Sequence, residues 1–408
     1  MLNCPSLPLP EVLSFIVDNR GKTVPTCDIG NGMPLIATNC INNDALYPVF
    51  EKIRYVSQST FDSWFRSHPL PGDIIFVTKG TPGRVCFVPD PVGFCIAQDM
   101  IAFRVDPNIV YNKYLLAVLR SSQFQKQIEQ FHVGTLIPHF KKGDIDKLLI
   151  PIPSMIVQKH IGDSYFDLSN KIELNNRINK TLEEMAQAIF KSWFVDFEPF
   201  QDGEFEDSEL GPIPKGWRVE SLDSVADFLN GLAMQKYRPD TEESLPVIKI
   251  KELNQGYTDN TSDRASINIP EQYIINNGDV VFSWSGTLMV KIWTGGQGGL
   301  NQHLFKVTSR NYEKWFYYLW TLEHLTIFRA IAKDRATTMG HIKRGHLTQA
   351  KVLVPTESVM KGLSEILIPI FDYIVQISMQ SSTLKELRDT LLPKLISGEI
   401  RVPIEEVQ

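Results

Sequence analysis

Two periodicities alternate along the chain. Residues 1–153 and again 212–355 carry short apolar runs punctuated by Gly, Pro, Asn and Asp, the pattern of short strands and turns. Each of these regions contains one helical stretch, Lys113 to Gln130 and Glu313 to Lys333. After each region the apolar spacing lengthens to about 3.5, the mark of a long helix with a single seam. The first seam runs Ile161, Tyr165, Leu168, Ile172, Asn175, Asn179, Leu182, Ile189, Trp193, and Phe194 follows it. The second runs Leu363, Leu367, Ile370, Ile374, Ile377, Ser381, Leu384, Leu391, Leu395. Helices of about 35 residues would span roughly 50 Å at ~1.5 Å per residue, too long for the interior of one small domain.

The alternation is an internal duplication. PGDIIFVTKGT (71–81) matches NGDVVFSWSGT (277–287), each a Gly-Asp turn feeding an apolar strand and then a Gly-Thr loop. MPLIATNCIN (33–42) matches LPVIKIKELN (245–254), Gln98 before FRV matches Gln302 before FKV, and PHFKKGDIDKLLIPIP (138–153) matches GHIKRGHLTQAKVLVP (340–355). The offset stays near 200 residues and drifts slowly, as small loop insertions between two copies of one fold require.

The fold expected is therefore mixed α/β: two duplicated globular domains joined by two long helices paired as an antiparallel coiled coil, with pseudo-two-fold symmetry. The alternative is that each helix packs only on its own globular copy. Boundaries fall at 1–153 and 154–198 for the first domain and helix, 199–211 for an acidic linker, and 212–355 and 356–400 for the second domain and helix. Asn175, Asn179 and Ser381 are expected to set register within the seam, and Pro369 to kink or delay the second helix.

Composition narrows the class. At 408 residues the chain exceeds the roughly 250 to 300 at which one core stops growing. Its 43% apolar and 22% charged residues are those of an ordinary globular protein. The five cysteines are odd in number and lack a CxxC pair, so neither a zinc site nor a disulfide framework is indicated, and a reducing cytoplasm is expected. No signal peptide or membrane span is read: the N-terminus lacks a basic region, and Pro369 and Asp372 interrupt the apolar stretch 367–377. The net charge of -6 argues against nucleic acid until it is located. Asp196, Glu198, Asp202, Glu204, Glu206, Asp207 and Glu209 hold the excess, and the rest is close to neutral with local basic clusters such as Lys141-Lys142 and Lys343-Arg344.

Several segments resemble the specificity subunits of type I restriction-modification systems: KIELNNRINKTLEEMAQAIFKSWFVDFEPF (171–200), LGPIPKGWRVESLDSVADFLNG (210–231) and LKELRDTLLPKLISGEIRV (384–402). The first domain lacks a counterpart of the Gly216-Trp217 opening. The resemblance implies that each globular copy is a target-recognition domain for half of a bipartite DNA site, and that the helices set the spacing and dock two modification subunits. Those subunits methylate adenine N6 with S-adenosylmethionine, and a restriction subunit using ATP and Mg translocates and cuts. The chain itself would bind no cofactor and catalyse nothing. No GxGxxG, Asn-Pro-Pro-aromatic or GxxxxGK[ST] string is present, in keeping with that division of labour.

Reading base edges takes paired donors and acceptors on loops, supported by phosphate contacts. In the first copy the candidates are Lys79, Thr81, Arg84, Gln98, His139, Lys141 and Lys142. In the second they are Ser285, Thr287, Lys291, Gln302, His303, His341, Lys343 and Arg344. His139 and His341 lack a second ligand or nucleophile, which leaves a DNA contact or a structural hydrogen bond. The helix-pairing and partner surface is expected at Ile161, Leu168, Ile172, Leu182, Trp193, Phe194, Leu363, Ile370, Ile374, Leu384, Leu391 and Leu395, with Trp193 and Phe194 read either as docking patch or as core. Two other classes stay open: an enzyme with a site inside the duplicated domains, and a scaffold that binds only protein.

Overall fold

The computed structural model describes residues 4–19, 23–28, 32–133, 138–239, 242–334 and 340–401, with the side chains of 132, 133 and 142 excepted. The chain forms two compact units, Met1–Leu174 with Thr383–Gln408 and Asn175–Ser382.

The first unit is built on an antiparallel four-stranded sheet in the order Leu13–Val17, Met100–Val105, Ile74–Val77, Val85–Phe87. Beside it is a three-stranded sheet, Arg54–Val56, Met33–Ile36, Cys95–Ile96, whose last two strands run parallel. The second unit repeats the plan. Its antiparallel sheet runs Asp227–Asn230, Leu304–Thr308, Val280–Ser283, Met289–Ile292, and a second sheet pairs Leu245–Ile248 in parallel with Gly298–Leu300. The matching sequence segments thus occupy matching strands, and the duplicated mixed α/β architecture read from the sequence is the one observed.

The repeated Gly-Asp motif is a turn with its own ion pair. Gly72 and Gly278 take φ of 85° and 90°, which only glycine adopts without strain. The next residue ties the turn: Asp73 accepts from Leu70 N at 2.8 Å, and Asp279 from Asn276 N at 2.8 Å. A base from the neighbouring strand closes each, Arg104 at 2.9 Å from Asp73 and Lys306 at 2.8 Å from Asp279. The FRV and FKV repeats are therefore the cationic partners of the Gly-Asp turns.

Each of the expected helical stretches is split into two helices, and short helices Gln58–Ser63, Leu222–Val225, Ile250–Gln255 and Arg344–Gln349 lie outside them. Asn112–Arg120 and Ser122–Phe131 break at extended Ser121, whose hydroxyl accepts from Phe124 N at 3.2 Å and starts the second helix. Lys314–Glu323 and Leu325–Asp334 break at His324, whose Nε2 lies 2.8 Å from the Lys351 carbonyl.

The long helices are Met155–Phe194 and Glu357–Ser397. Pro369 neither stops nor delays the second one. The cost of its missing N–H is offset by Leu363, Leu367 and Phe371, all buried in the core of the second unit. In that unit these residues meet Ala186, Phe190 and Phe194, while Asn175 Nδ2 donates to Gln380 Oε1 at 2.9 Å and Asn179 Nδ2 to Ser378 Oγ at 2.8 Å. In the first unit Ile161 and Tyr165 share a core with Leu392 and Ile396, and Arg388 Nη1 donates to Ser169 Oγ at 3.4 Å. Numbers rise on one helix as they fall on the other, so the pairing inside each unit is antiparallel. Ile172 and Ile374 are buried, whereas Leu168, Leu182, Ile370, Leu384, Leu391 and Leu395 are half-buried along the edges of the seam. Helix Glu357–Ser397 is long and apolar enough by composition to cross a membrane; Leu363, Leu367, Phe371, Leu392 and Ile396 are packed in these cores, whereas Ile366, Tyr373, Met379 and Leu387 are exposed.

Trp193 is half-buried and meets Phe200 edge-on at 5.5 Å, while Phe194 is buried among Trp217, Trp315, Phe316 and Trp320. Trp217 of the Gly-Trp opening thus locks the helix end onto its domain. The acidic stretch is not an open linker: Phe205–Ser208 pairs with Gly211–Pro214 as a hairpin, and Glu209 bridges Lys351 at 2.9 Å.

Candidate nucleic-acid interface

In both units the fold joins the Gly-Thr loop to the basic loop. Phe140 N donates to Thr78 O at 2.8 Å and Gly80 N to Pro138 O at 2.9 Å, with Lys79 bridged to His139. In the second unit Ile342 N donates to Trp284 O at 3.0 Å and Gly286 N to Gly340 O at 2.9 Å, with Ser285 bridged to His341. Segments about 60 residues apart in sequence are thus held edge to edge by the same backbone bonds in each copy. The core residues Phe140 and Ile342 anchor them, being buried beside exposed His139, Lys141, His341, Lys343 and Arg344.

On the first edge Lys79 and Arg84 are exposed and Thr81 is half-buried. Lys142 is at the start of the 3-10 turn Lys142–Lys147, and its side chain lies outside the described atoms. On the second edge Thr287 is exposed, whereas Ser285 is buried. Arg344 Nη2 donates to Phe228 O at 3.3 Å and its guanidinium lies 5.9 Å from the Phe305 ring, so part of its donor set is committed to the domain.

Two candidates are placed apart from these edges. Lys291 is on strand Met289–Ile292, donating to Asn254 O at 2.7 Å, and burial pulls its ammonium below the ordinary lysine range against the opposing charge of Glu183. Gln98 has its Oε1 buried without a hydrogen-bond partner among the described residues. Gln302, its counterpart, instead lines an open cleft of about 750 Å³ with His303, Gln235, Arg238, Lys249 and Arg264.

The turn carrying Gln302 is tightly held. Asn301 O accepts from Leu304 N at 3.0 Å, and Asn301 Oδ1 accepts from His303 N at 3.3 Å. Gly231 is required beside it, because a Cβ there would lie 2.2 Å from the Asn301 carbonyl oxygen. Gln302 Nε2 is 3.3 Å from His303 Nε2, and His303 Nδ1 is 3.1 Å from Ser285 Oγ. Sequence reasoning missed Gln235, Arg238, Lys249 and Arg264, which the fold brings to Gln302 from the 3-10 turn Met234–Lys236 and the segment after it and from the paired strands Leu245–Ile248, which Lys249 follows, and Arg264–Ala265; the basic residues alone carried no local signal.

Among the described residues no group of three or more His, Cys, Asp or Glu is arranged to hold a metal. The edges offer cationic groups, amides and hydroxyls, which suit phosphates and base edges.

The family model described as the type I restriction modification DNA specificity domain matches residues 10–184 and 214–382. The MjaIX type I restriction enzyme specificity subunit of Methanocaldococcus jannaschii is 28% identical over 345 residues, covering 81% of this chain and 78% of that one. The HindI type I restriction enzyme specificity subunit of Haemophilus influenzae is 24% identical over 400 residues, covering 81% of this chain and 86% of that one. In fold, the chain is similar to the crystal structure of a type I restriction-modification S subunit from M. genitalium, with a TM-score of 0.53, 15% identity and 97% of each chain covered.

Proposed function

The chain belongs to the type I restriction-modification DNA specificity family, and on that premise we propose how its parts divide the work. It is a DNA-targeting subunit with two recognition domains. Residues 1–153 and 212–355 each read one half of a bipartite site. The helical segments 154–198 and 356–400 keep the half-sites at a set separation and dock two modification subunits, and the acidic segment 199–211 joins the first helix to the second domain.

Methyl transfer from S-adenosylmethionine to adenine N6 belongs to the modification subunits, and ATP- and Mg-dependent translocation and cleavage to restriction subunits that join through the complex. This chain supplies the address, binds no cofactor of its own, and works on double-stranded DNA in the cytoplasm. The DNA contacts proposed are Lys79, Thr81, Arg84, His139, Lys141 and Lys142 on the first edge, and Thr287, Gln302, His341, Lys343 and Arg344 on the second, with Ser285 and His303 standing behind Gln302. Gln98 and Lys291 are assigned to structure instead.

The observation that carries this reading is the repeated edge, Lys79 against His139 in one unit and Ser285 against His341 in the other. Two equivalent polar edges in one chain suit two half-sites. The test is to express the chain with the modification subunit encoded beside it in a methylation-free host and map modified bases genome-wide. A split motif with one methylated adenine in each half is expected. A formed complex that marks no motif overturns the reading.

A further inference from the structure

We propose that Gln302 reads the major-groove edge of an adenine in the half-site bound by the second unit, with His303 and Ser285 as its positioning residues; this rests on the DNA-specificity reading above. An amide nitrogen only donates, so the contact between Gln302 Nε2 and His303 Nε2 at 3.3 Å makes His303 Nε2 the acceptor. The ring hydrogen then sits on Nδ1 and is donated to Ser285 Oγ, 3.1 Å away. Ser285 is in turn held: its carbonyl accepts from the buried Ser283 hydroxyl at 3.1 Å, and its backbone bridges to His341.

This chain of bonds orients the amide. One N–H is given to His303, and one N–H and Oε1 remain for a ligand. Adenine alone matches that pair at its major-groove edge, with N7 as acceptor and N6-H as donor. Guanine presents two acceptors there and would set its O6 against Oε1, while cytosine offers only a donor and thymine only an acceptor.

The setting suits DNA. Gln302 stands on the turn clamped by Asn301 and Gly231, so little side-chain and backbone freedom is left to lose on binding. The cleft it lines also carries three cations, of which Lys249 is paired with Asp263 and Arg264 donates to the Ser244 carbonyl at 2.6 Å, so Arg238 is the group suited to a flanking phosphate. Among the described residues the first unit has no such device. Asp99 stands where His303 does, and the Gln98 carbonyl oxygen is buried without a partner among the described residues.

The test uses the complex of the full chain with its modification subunit. Gln302→Glu replaces the donor-acceptor pair with acceptors alone, so one position of the second half-site is expected to change from adenine to cytosine while the others stay. With 7-deazaadenine at that position, which removes N7 and keeps N6-H, wild-type binding is expected to weaken by about 2- to 12-fold, the range of one hydrogen bond, and Gln302→Ala to show no such penalty. His303→Ala is expected to relax the preference at that same position only, whereas a merely structural role would weaken every sequence alike. An unchanged motif in an assembled Gln302→Glu complex overturns the proposal. So does an equal 7-deaza penalty in wild type and Gln302→Ala, a comparison that decides the matter if Gln302→Glu fails to assemble. A wild-type complex that marks no motif overturns the DNA-specificity reading, and this assignment with it.

Discussion

Asn175 Nδ2 donates to Gln380 Oε1 at 2.9 Å from a fully buried position between the two long helices of the second unit. The same nitrogen is 3.1 Å from Ser381 Oγ, and Asn179 reaches Ser378 one turn further on. Polar contacts in an apolar seam select one register, because any slip would bury these amides without partners.

Asn175→Ala removes both donated bonds, but it also removes Asn175 Oδ1, which is buried without a partner among the described residues. The two effects partly offset, and a net loss of about 1 kcal/mol is expected. Thermal denaturation of the complex checks it, and a stabilised variant would show that the amide serves register at the expense of stability.

If the helices set the half-site gap, one heptad inserted after Asn179 and another before Ser378 keeps the pairing matched and adds roughly 10 Å of helix. The gap in the methylated motif is expected to widen by about 3 base pairs at ~3.4 Å each. An unchanged gap in an assembled complex would remove the ruler role.

Lys343 and Arg344 are exposed beside His341 on the second edge. Replacing both with alanine is expected to reduce the slope of log K against log salt by up to about 1.8, at ~0.9 per lost phosphate contact, with the motif retained. Part of any stability change belongs to Arg344, which also holds Phe228 O. A salt titration with an unchanged slope would take this loop off the phosphate-contact list.

Burial holds the His324 imidazole below its ordinary range, against the raising effect of its bond to Lys351 O. The folded ring therefore resists a proton that the unfolded chain takes up near pH 6.5. The unfolded state binds more protons below that pH, so stability falls on acidification by at most about 1.4 kcal/mol per pH unit for this one group and is constant above it. Denaturation at pH 5.5 and 7.5 is expected to show a larger loss for the wild type than for His324→Phe.

Much of this was legible in the chain because it is local. A Gly-Asp turn, a strand alternation and a heptad seam are each written within a few residues, and their recurrence in 71–81 and 277–287 exposes the duplication without knowledge of any contact. The backbone decides these features through φ preference and side-chain period. Other features depended on packing. Phe371 rather than Ile370 faces the core because the exact rotation of a long helix is chosen by its neighbours. Leu245–Ile248 lies parallel to Gly298–Leu300, a pairing across some fifty residues that no local signal announces. Gln98 and Gln302 occupy equivalent places in the sequence repeat, yet one has its carbonyl oxygen shut in and the other lines a cleft beside His303. The sequence by itself determined the repeat, the elements and the class of chemistry on the loops. Only the tertiary structure decided which of those groups meet and which are spent inside the protein, because burial and hydrogen-bond partnership are set by residues far apart along the chain.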